Sequence, residues 1–437
     1  MTIHFDAVNL TFGANKIFDK LSLTFDGGKV IGVTGANGSG KSTLLKLAGK
    51  ILQPDSGRVI LPTEKKIAAV SPEMKLYDSL TAAENLKFFA RLRGKILSDE
   101  DVANLGQRVG LDMKIFGSER TENFSTGMRQ RLKFAILLAV DADIWLLDEP
   151  TANLDDAGRE NFFAEIQAAK SDKIILLATN DVQEAQICDE IIELPMINKA
   201  SVSEKSFGTL SSLTNRMQRH VARSDATLAI VRKDFLLNLR RRATFASMMM
   251  FALTTVAALS LSTGGTIVDE KFLAALLWIV IFFAASAGLS GTFDDEAQAG
   301  TLPTLKLYGD AQAILFGKMS GALLSLVALV TFVLPIFCVL FDVRVEKIFL
   351  LAATVALGIV GLAAAGTLTA ALTTSAAVKG GLFPILLFPV TLPVFLPAIR
   401  LTEIALTVAP VDSSLLVVMS AFDAILILAS SILYDYL

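Results

Sequence analysis

The sequence predicts an α/β domain followed by an all-helical membrane domain, and three observations carry that expectation. A glycine-rich loop stands between an apolar strand and an apolar helix near the start of the chain. Polarity is uneven over the 437 positions: residues 1–200 alternate charged and apolar segments, whereas residues 243–437 hold long runs almost free of charge. Six of those runs approach or exceed the length, about 20 residues, that a helix needs to cross a hydrocarbon core.

Bulk properties agree. The chain is 53% hydrophobic, and its mean hydropathy of +0.55 leans towards membrane. A net charge of −3 offers no polycationic surface, so a nucleic-acid partner is not expected. Cys188 and Cys338 lie far apart, which argues against a disulfide or metal framework. The opening MTIHFDAVNLTF alternates as a strand and lacks the basic flank and apolar core of a signal peptide.

Residues 29–34 (KVIGVT) read as a buried strand. Gly35-Ala36-Asn37-Gly38-Ser39-Gly40-Lys41-Ser42-Thr43 follows, and then an apolar helix. Glycines at this spacing let backbone N–H groups turn inward around phosphate oxygens, and the helix N-terminus adds a positive dipole. Lys41 reaches the outer phosphates, and the Ser42 hydroxyl suits Mg²⁺. Residues 143–149 (DIWLLDE) form an apolar strand ending in Asp148, placed to support Mg²⁺, and Glu149, placed to polarise water. Alone, such a pair usually caps a helix; after a phosphate-binding loop the catalytic reading is preferred. Between these motifs stands Asn123-Phe124-Ser125-Thr126-Gly127-Met128-Arg129-Gln130-Arg131, by itself a helix N-cap with a basic first turn.

In order, these motifs resemble the ABC ATPase superfamily over residues 2–195. Ser125 and Gly127 match its signature, while Thr126 and Met128 depart from it. The resemblance implies ATP and Mg²⁺ as cofactors. Around the nucleotide it places Gly35, Asn37, Gly38, Ser39, Gly40, Lys41, Ser42 and Thr43, with Ser125, Gly127 and Asp155. Phe12 is either the aromatic that stacks on adenine or a core residue of the first sheet. Two departures bear on hydrolysis. Asn180 stands where the family has a His after the last core strand; it cannot carry a proton but can hydrogen-bond a γ-phosphate. Pro72 or Glu73 stands where the family has a Gln, and Glu73 is the candidate chosen, as a carboxylate able to bind Mg²⁺ or orient water. The expected catalytic set is Glu149, Asn180 and Glu73; the expected metal set is Ser42, Asp148 and Glu73. Family members clamp ATP between two copies, so a homodimer is implied.

The expected domains are a nucleotide-binding domain over 1–200, a polar Ser-rich linker over 201–225 with a short helix near 209–220, and a transmembrane domain over 226–437. Spans are predicted at 243–262, 272–293, 311–341, 348–375, 380–399 and 411–434. Both ends are placed in the cytosol. Arg232, Lys233, Arg240, Arg241, Arg242, Lys306, Lys318 and Lys379 then fall inside, and Lys271, Arg344, Lys347 and Arg400 outside. Asp294, Asp295 and Glu296, in the loop after the second span, pair with basic residues of the ATPase or form a solvated cap. Pro384, Pro389, Pro393 and Pro397 are expected to bend the fifth span, as a hinge or as static packing. Asp423, inside the last span, reads first as a polar group satisfied by Ser420 or Ser430, and second as functional.

A narrower resemblance rests on FLLNLRRR before the first span, FDDEAQAGTLPTLKL after the second and ALTTSAAVKGGLFPILLFPVTLPVFLPAI across the fourth and fifth. These stretches are similar to CcmB, the membrane component of the cytochrome c maturation system. The short ATPase half is similar to CcmA, the ATPase that usually accompanies it, so the chain looks like a fusion of the two. That resemblance implies haem delivery or export in cytochrome c maturation, a multi-pass inner-membrane location with a cytoplasmic ATPase, and two partners: a haem-handling membrane protein and a haem chaperone. His4 and His220 are the only histidines, so the membrane half contains none and bis-His haem ligation there is excluded. Met248, Met249, Met250, Met319 and Met419 read as packing. The alternatives are an exporter of another small or lipidic substrate and an ATP-gated assembly factor without flux.

Overall fold

The computed structural model describes residues 1–13, 15–111, 117–195, 220–241, 243–264, 268–375 and 382–435. Most of the expected linker, together with Arg242 and Lys379, lies outside the described residues. Two compact units result. One comprises Met1–Asp225 with Gly300–Gly309, and the other Ala226–Ala299 with Asp310–Leu437.

Two sheets build the first unit. Strands β1 (Thr2–Phe12), β2 (Asn15–Asp26) and β4 (Ser56–Ile60) form an antiparallel sheet in the order β2-β1-β4. Strands β3 (Lys29–Thr34), β5 (Ile67–Val70), β6 (Ile144–Asp148), β7 (Ile174–Ala178) and β8 (Glu190–Glu193) form a parallel sheet in the order β5-β6-β7-β3-β8. Strands covered on both faces read as unbroken apolar runs, and IILLA of β7 is buried throughout. Helix α1 (Lys41–Ala48) contributes Leu44, Leu45 and Leu47 to the cluster that joins both sheets, which includes Phe5, Phe25, Ile31 and Leu176.

Helices α2 (Ala82–Leu92), α3 (Asp99–Arg108) and α4 (Thr126–Val140) stand apart from the strand order. The first two begin with reciprocal side-chain caps, Thr81 with Glu84 and Ser98 with Asp101. Helices α5 (Asp156–Ala169) and α6 (Val182–Gln186) follow.

The second unit is helical. It contains α7 (His220–Arg241) from Ala226 onward, α8 (Ala243–Thr263), α9 (Glu270–Leu289) and α10 (Gly291–Ala299). The chain then forms α11 (Leu302–Tyr308), which packs within the first unit. Helices α12 (Ala311–Leu340), α13 (Ile348–Ser375), α14 (Leu382–Leu406) and α15 (Ser413–Tyr434) complete the second. Among the described residues six helices are long and apolar enough to cross a membrane. Only α-helices or closed barrels satisfy their backbone in lipid, so helical spans are the form this composition can take.

Three expectations change. The fifth span runs on past residue 399 to Leu406, and Arg400 and Glu403 pair at 3.1 Å within that extension; Pro389, Pro393 and Pro397 lie inside α14. Of the acidic run, Asp294 and Glu296 find partners within their own unit. Asp294 accepts from the Thr374 hydroxyl at 2.9 Å, and buried Glu296 binds two lysines. Ser420 and Ser430 donate to carbonyls of their own helix, Leu416 and Leu426, and leave Asp423 unsatisfied.

The lysines around Glu296 form a quartet of charges with it and Asp234. Lys233 and Asp234 come from α7, Glu296 from α10 and Lys318 from α12. Lys233 bonds Glu296 directly and lies 2.7 Å from Asp234. Lys318 reaches Glu296 at 2.7 Å and Asp234 at 3.3 Å. The carboxylates hold the Lys233 ammonium above its ordinary value against the desolvation that would lower it. Two positive and two negative charges balance, but removal of one partner strands a buried charge. Glu296→Ala is therefore expected to destabilise the membrane unit by about 3–5 kcal/mol, read by denaturation of the full chain in detergent. An effect no larger than that of an exposed surface pair would show that the quartet does not fasten α7, α10 and α12.

Candidate functional site

Parallel strands deliver their C-terminal ends to one edge of a sheet. Thr34, Val70, Asp148 and Ala178 all end strands there, so the segments that follow them meet. After β3 the loop turns through positive φ at Gly35, Gly38 and Gly40. Gly40 caps α1 without any side-chain bond, which leaves the first-turn N–H groups for an anion. Lys41 is buried, and its ammonium donates to the carbonyls of Gly35 (2.7 Å) and Ala36 (3.2 Å), spanning the loop. The buried Ser39 hydroxyl has no hydrogen-bond partner among the described residues. This donor-rich cradle fits a nucleotide's phosphates.

Asp148 ends β6 and lines the same cleft as Ser42. Burial raises its carboxyl above the usual range, and neighbouring Glu149 and Glu73 add to the rise. No group of three or more His, Cys, Asp or Glu among the described residues could hold a metal alone. One hydroxyl and one carboxylate, completed by phosphate oxygens and water, is the donor set Mg²⁺ takes. Glu73 is tied to Lys46 at 2.7 Å and is largely exposed. It lines a solvent-open cleft with Ser42, Ser71, Asp148 and the α11 residues Pro303, Thr304 and Leu307.

Glu149 sits at φ 45°, a left-handed backbone uncommon for a side-chain-bearing residue, and its side chain is exposed. Its N–H donates to the carbonyl of Ala178 at 2.9 Å, which fixes it beside the end of β7. Two residues on, the Asn180 amide donates to Asn37 of the glycine loop at 2.6 Å. Thr43 is half-buried in α1. Phe12 is 48% exposed at the tip of β1, so the core-packing alternative fails for it.

Ser125 caps α4 by accepting from the Met128 N–H at 3.2 Å. Gly127 lies against the turn after β6: a Cβ there would stand 2.8 Å from the carbonyl of Asn153. The Gln130 amide donates to the carbonyl of Pro150 at 2.6 Å, and Arg131 bonds Asp155. Asp155 in turn caps α5 through the Gly158 N–H at 3.0 Å; that bond first, then Arg131, lowers its carboxyl.

Several contacts carry no sequence signal. Lys133 of α4 donates to the carbonyl of Ser71 at 2.8 Å; burial, then the charges of Lys75 and Arg129, lower it to about 8. Tyr308 of α11 donates to the carbonyl of Ala69 at 3.0 Å and accepts from the same residue's N–H at 3.3 Å. Burial pushes its hydroxyl up to about 12, so it stays a donor. Arg93 bridges the carbonyls of Ile67 (2.6 Å) and Leu307 (2.7 Å). Both attach α11 to β5, the strand that leads into Ser71 and Glu73, across more than 200 residues of chain.

Comparisons place these features among known proteins. The family model described as ABC transporter matches residues 18–152, and that described as CcmB protein matches residues 225–432. The ABC transporter ATP-binding protein NatA of Bacillus subtilis (strain 168) is 36% identical over 208 residues, 44% of this chain and 82% of its own. The uncharacterized ABC transporter ATP-binding protein YdbJ of the same organism is 33% identical over 203 residues, 44% of this chain and 65% of its own. A solved dimeric bacterial ABC transporter cassette matches over 44% of this chain and 94% of its own, at 24% identity and a TM-score of 0.40.

Two outcomes follow from the site's electrostatics and contacts. Because burial raises Asp148, the folded protein binds more protons than the unfolded chain between pH 3.8 and the raised value, and stability falls as pH rises through that window. The penalty is full at neutral pH, so Asp148→Asn raises the Tm of the nucleotide-free protein there and loses that advantage below the ordinary Asp range. Calorimetry across pH checks the sign. Tyr308→Phe keeps the ring and loses both bonds to Ala69; a cost of about 0.5–1.5 kcal/mol is expected by denaturant titration, with faster amide exchange from Ala69 to Glu73.

Proposed function

This chain belongs to the ABC transporter family, with an ABC ATPase domain followed by a CcmB domain, and on that footing we propose that it works as a homodimer whose ATP hydrolysis serves haem delivery in cytochrome c maturation. It is an ATPase and a multi-pass inner-membrane protein with the ATPase domain in the cytoplasm. The observation that carries the haem reading is the CcmB match over residues 225–432, in one chain with its own ATPase.

In this reading each nucleotide lies between the glycine loop of one copy and the signature of the other. Gly35, Asn37, Gly38, Ser39, Gly40 and Thr43 hold the phosphates, and Lys41 turns from the loop carbonyls to the outer phosphates. Phe12 stacks on adenine from its exposed position. Ser125 and Gly127 of the second copy close the site, and Asp155 fixes the turn behind them. Bound through Ser42 and Asp148, Mg²⁺ supplies neutralisation of charge on the phosphate oxygens. Glu149 accepts the proton of the attacking water, while Asn180 positions the γ-phosphate without carrying a proton. Glu73 acts from the cleft rim once freed from Lys46. Without a His at position 180, hydrolysis is expected to be slow.

The membrane half has no histidine, so in this proposal it powers a partner that holds haem instead of ligating haem itself. Glu149→Gln is expected to reduce kcat by about 10²- to 10⁴-fold with ATP binding retained, in a steady-state ATPase assay. The same variant, locked with ATP and Mg²⁺, tests the pathway by pull-down and haem spectroscopy. Retention of a haem-loaded membrane partner supports the proposal. ATPase stimulated by a substrate in partner-free liposomes replaces it with export, and nucleotide-dependent partner release without flux replaces it with an assembly role.

A further inference from the structure

The last membrane helix carries a carboxyl group that neither hydrolysis nor packing explains. Asp423 is the one charged residue of α15 and is 4% exposed. Both of its oxygens are buried, and neither has a hydrogen-bond partner among the described residues. Facing it are Gly361 of α13 and Val394 of α14. A Cβ on Gly361 would stand 2.4 Å from Oδ1 of Asp423 and 3.0 Å from both methyl groups of Val394, so the glycine makes the room the carboxyl occupies.

Among the described residues, none of the helices packed on α15 offers it a free cation. Helix α13 contains no charged residue. Arg400 and Glu403, the charges of α14, pair with each other. On α12 the single charge, Lys318, is engaged by Asp234 and Glu296, and Gln312 bonds the Ser431 carbonyl and Asp435 at the end of α15. Among the described residues no group of three or more His, Cys, Asp or Glu gathers to hold a metal ion, so the oxygen set of a metal ion is missing. An ionised carboxylate buried this way is cut off from bulk solvent and lacks a counter-charge among the described residues, whereas the neutral acid avoids the penalty.

We propose that Asp423 is a proton-binding site in the membrane half, holding a proton while α15 is packed on α13 and α14 and releasing it only when that seam opens to water. The ligand is a proton, and the seam is its gate. Any movement of α15 away from Gly361 and Val394 then carries a protonation change with it.

Infrared spectroscopy of the full chain in lipid vesicles at neutral pH reads this directly. The expected result is a carbonyl band of a protonated carboxylic acid that disappears in Asp423→Asn and shifts slowly on transfer to heavy water. A spectrum with no such Asp423-dependent band means the group is ionised and overturns the proposal. A band that shifts as fast as those of exposed carboxyls overturns the sealed seam. Should the Asn variant fail to fold, Asp423→Glu moves the band without deleting it, and an unmoved band is equally fatal.

Discussion

Parallel pairing of the five-stranded sheet is the constraint on which the nucleotide site rests. Because β3, β5, β6 and β7 run the same way, residues 35–41, 71–73, 148–149 and 180 emerge at one edge. Two cross-strand bonds hold the edge in register: Glu149 N–H to the Ala178 carbonyl at 2.9 Å and Thr179 N–H to the Val33 carbonyl at 3.1 Å. An antiparallel neighbour would carry one of these segments to the opposite edge, and no loop of a few residues could bring it back. Positive φ at Gly35, Gly38 and Gly40, and at Glu149, is the local bending that this shared edge demands.

The membrane half obeys a different constraint. Apolar helices gain little from burying apolar faces when the surroundings are themselves apolar, so close fit and polar pairs decide their arrangement. The quartet of Lys233, Asp234, Glu296 and Lys318 joins three helices with no net charge. Lys347 does similar work at the end of α14, donating to the carbonyls of Ile404, Thr407 and Ala409. Trp278 of α9 reaches the Thr402 hydroxyl of α14 at 3.0 Å.

Much of this is legible in the sequence because it is local. The strand, glycine loop and helix around Lys41 are contiguous, and hydropathy marks the six spans. Hydropathy cuts the fifth span short because it sees a charge at Arg400 without its partner one turn away. The acidic run is left between a basic partner and a solvated cap because a string of carboxylates does not say which lysines face them; only the approach of α7 and α12 places Lys233 and Lys318 beside Glu296. Gln130, Arg131 and Lys133 lie in or beside a recognised motif, yet the carbonyls that Gln130 and Lys133 reach leave no residue-type signature. For Arg93 and Tyr308 no signal exists at all, since the partners that tie α11 to β5 lie more than 200 positions apart.

The place of α11 within the ATPase unit has a consequence for how the chain comes apart. β5 is an outermost strand of its sheet, and Tyr308 and Arg93 occupy its free backbone groups while Phe89, Leu305 and Tyr308 are buried beside it. A fragment cut at residue 225 would keep Arg93 on Ile67 but lose Tyr308 from Ala69, and would present a partly bare strand border next to an uncovered aromatic, the kind of surface that recruits other chains into aggregates. The ATPase half is thus not a self-sufficient body: proteolysis in the Ser-rich stretch after residue 200 would leave a product short of part of its own core, prone to self-association as soon as it separates.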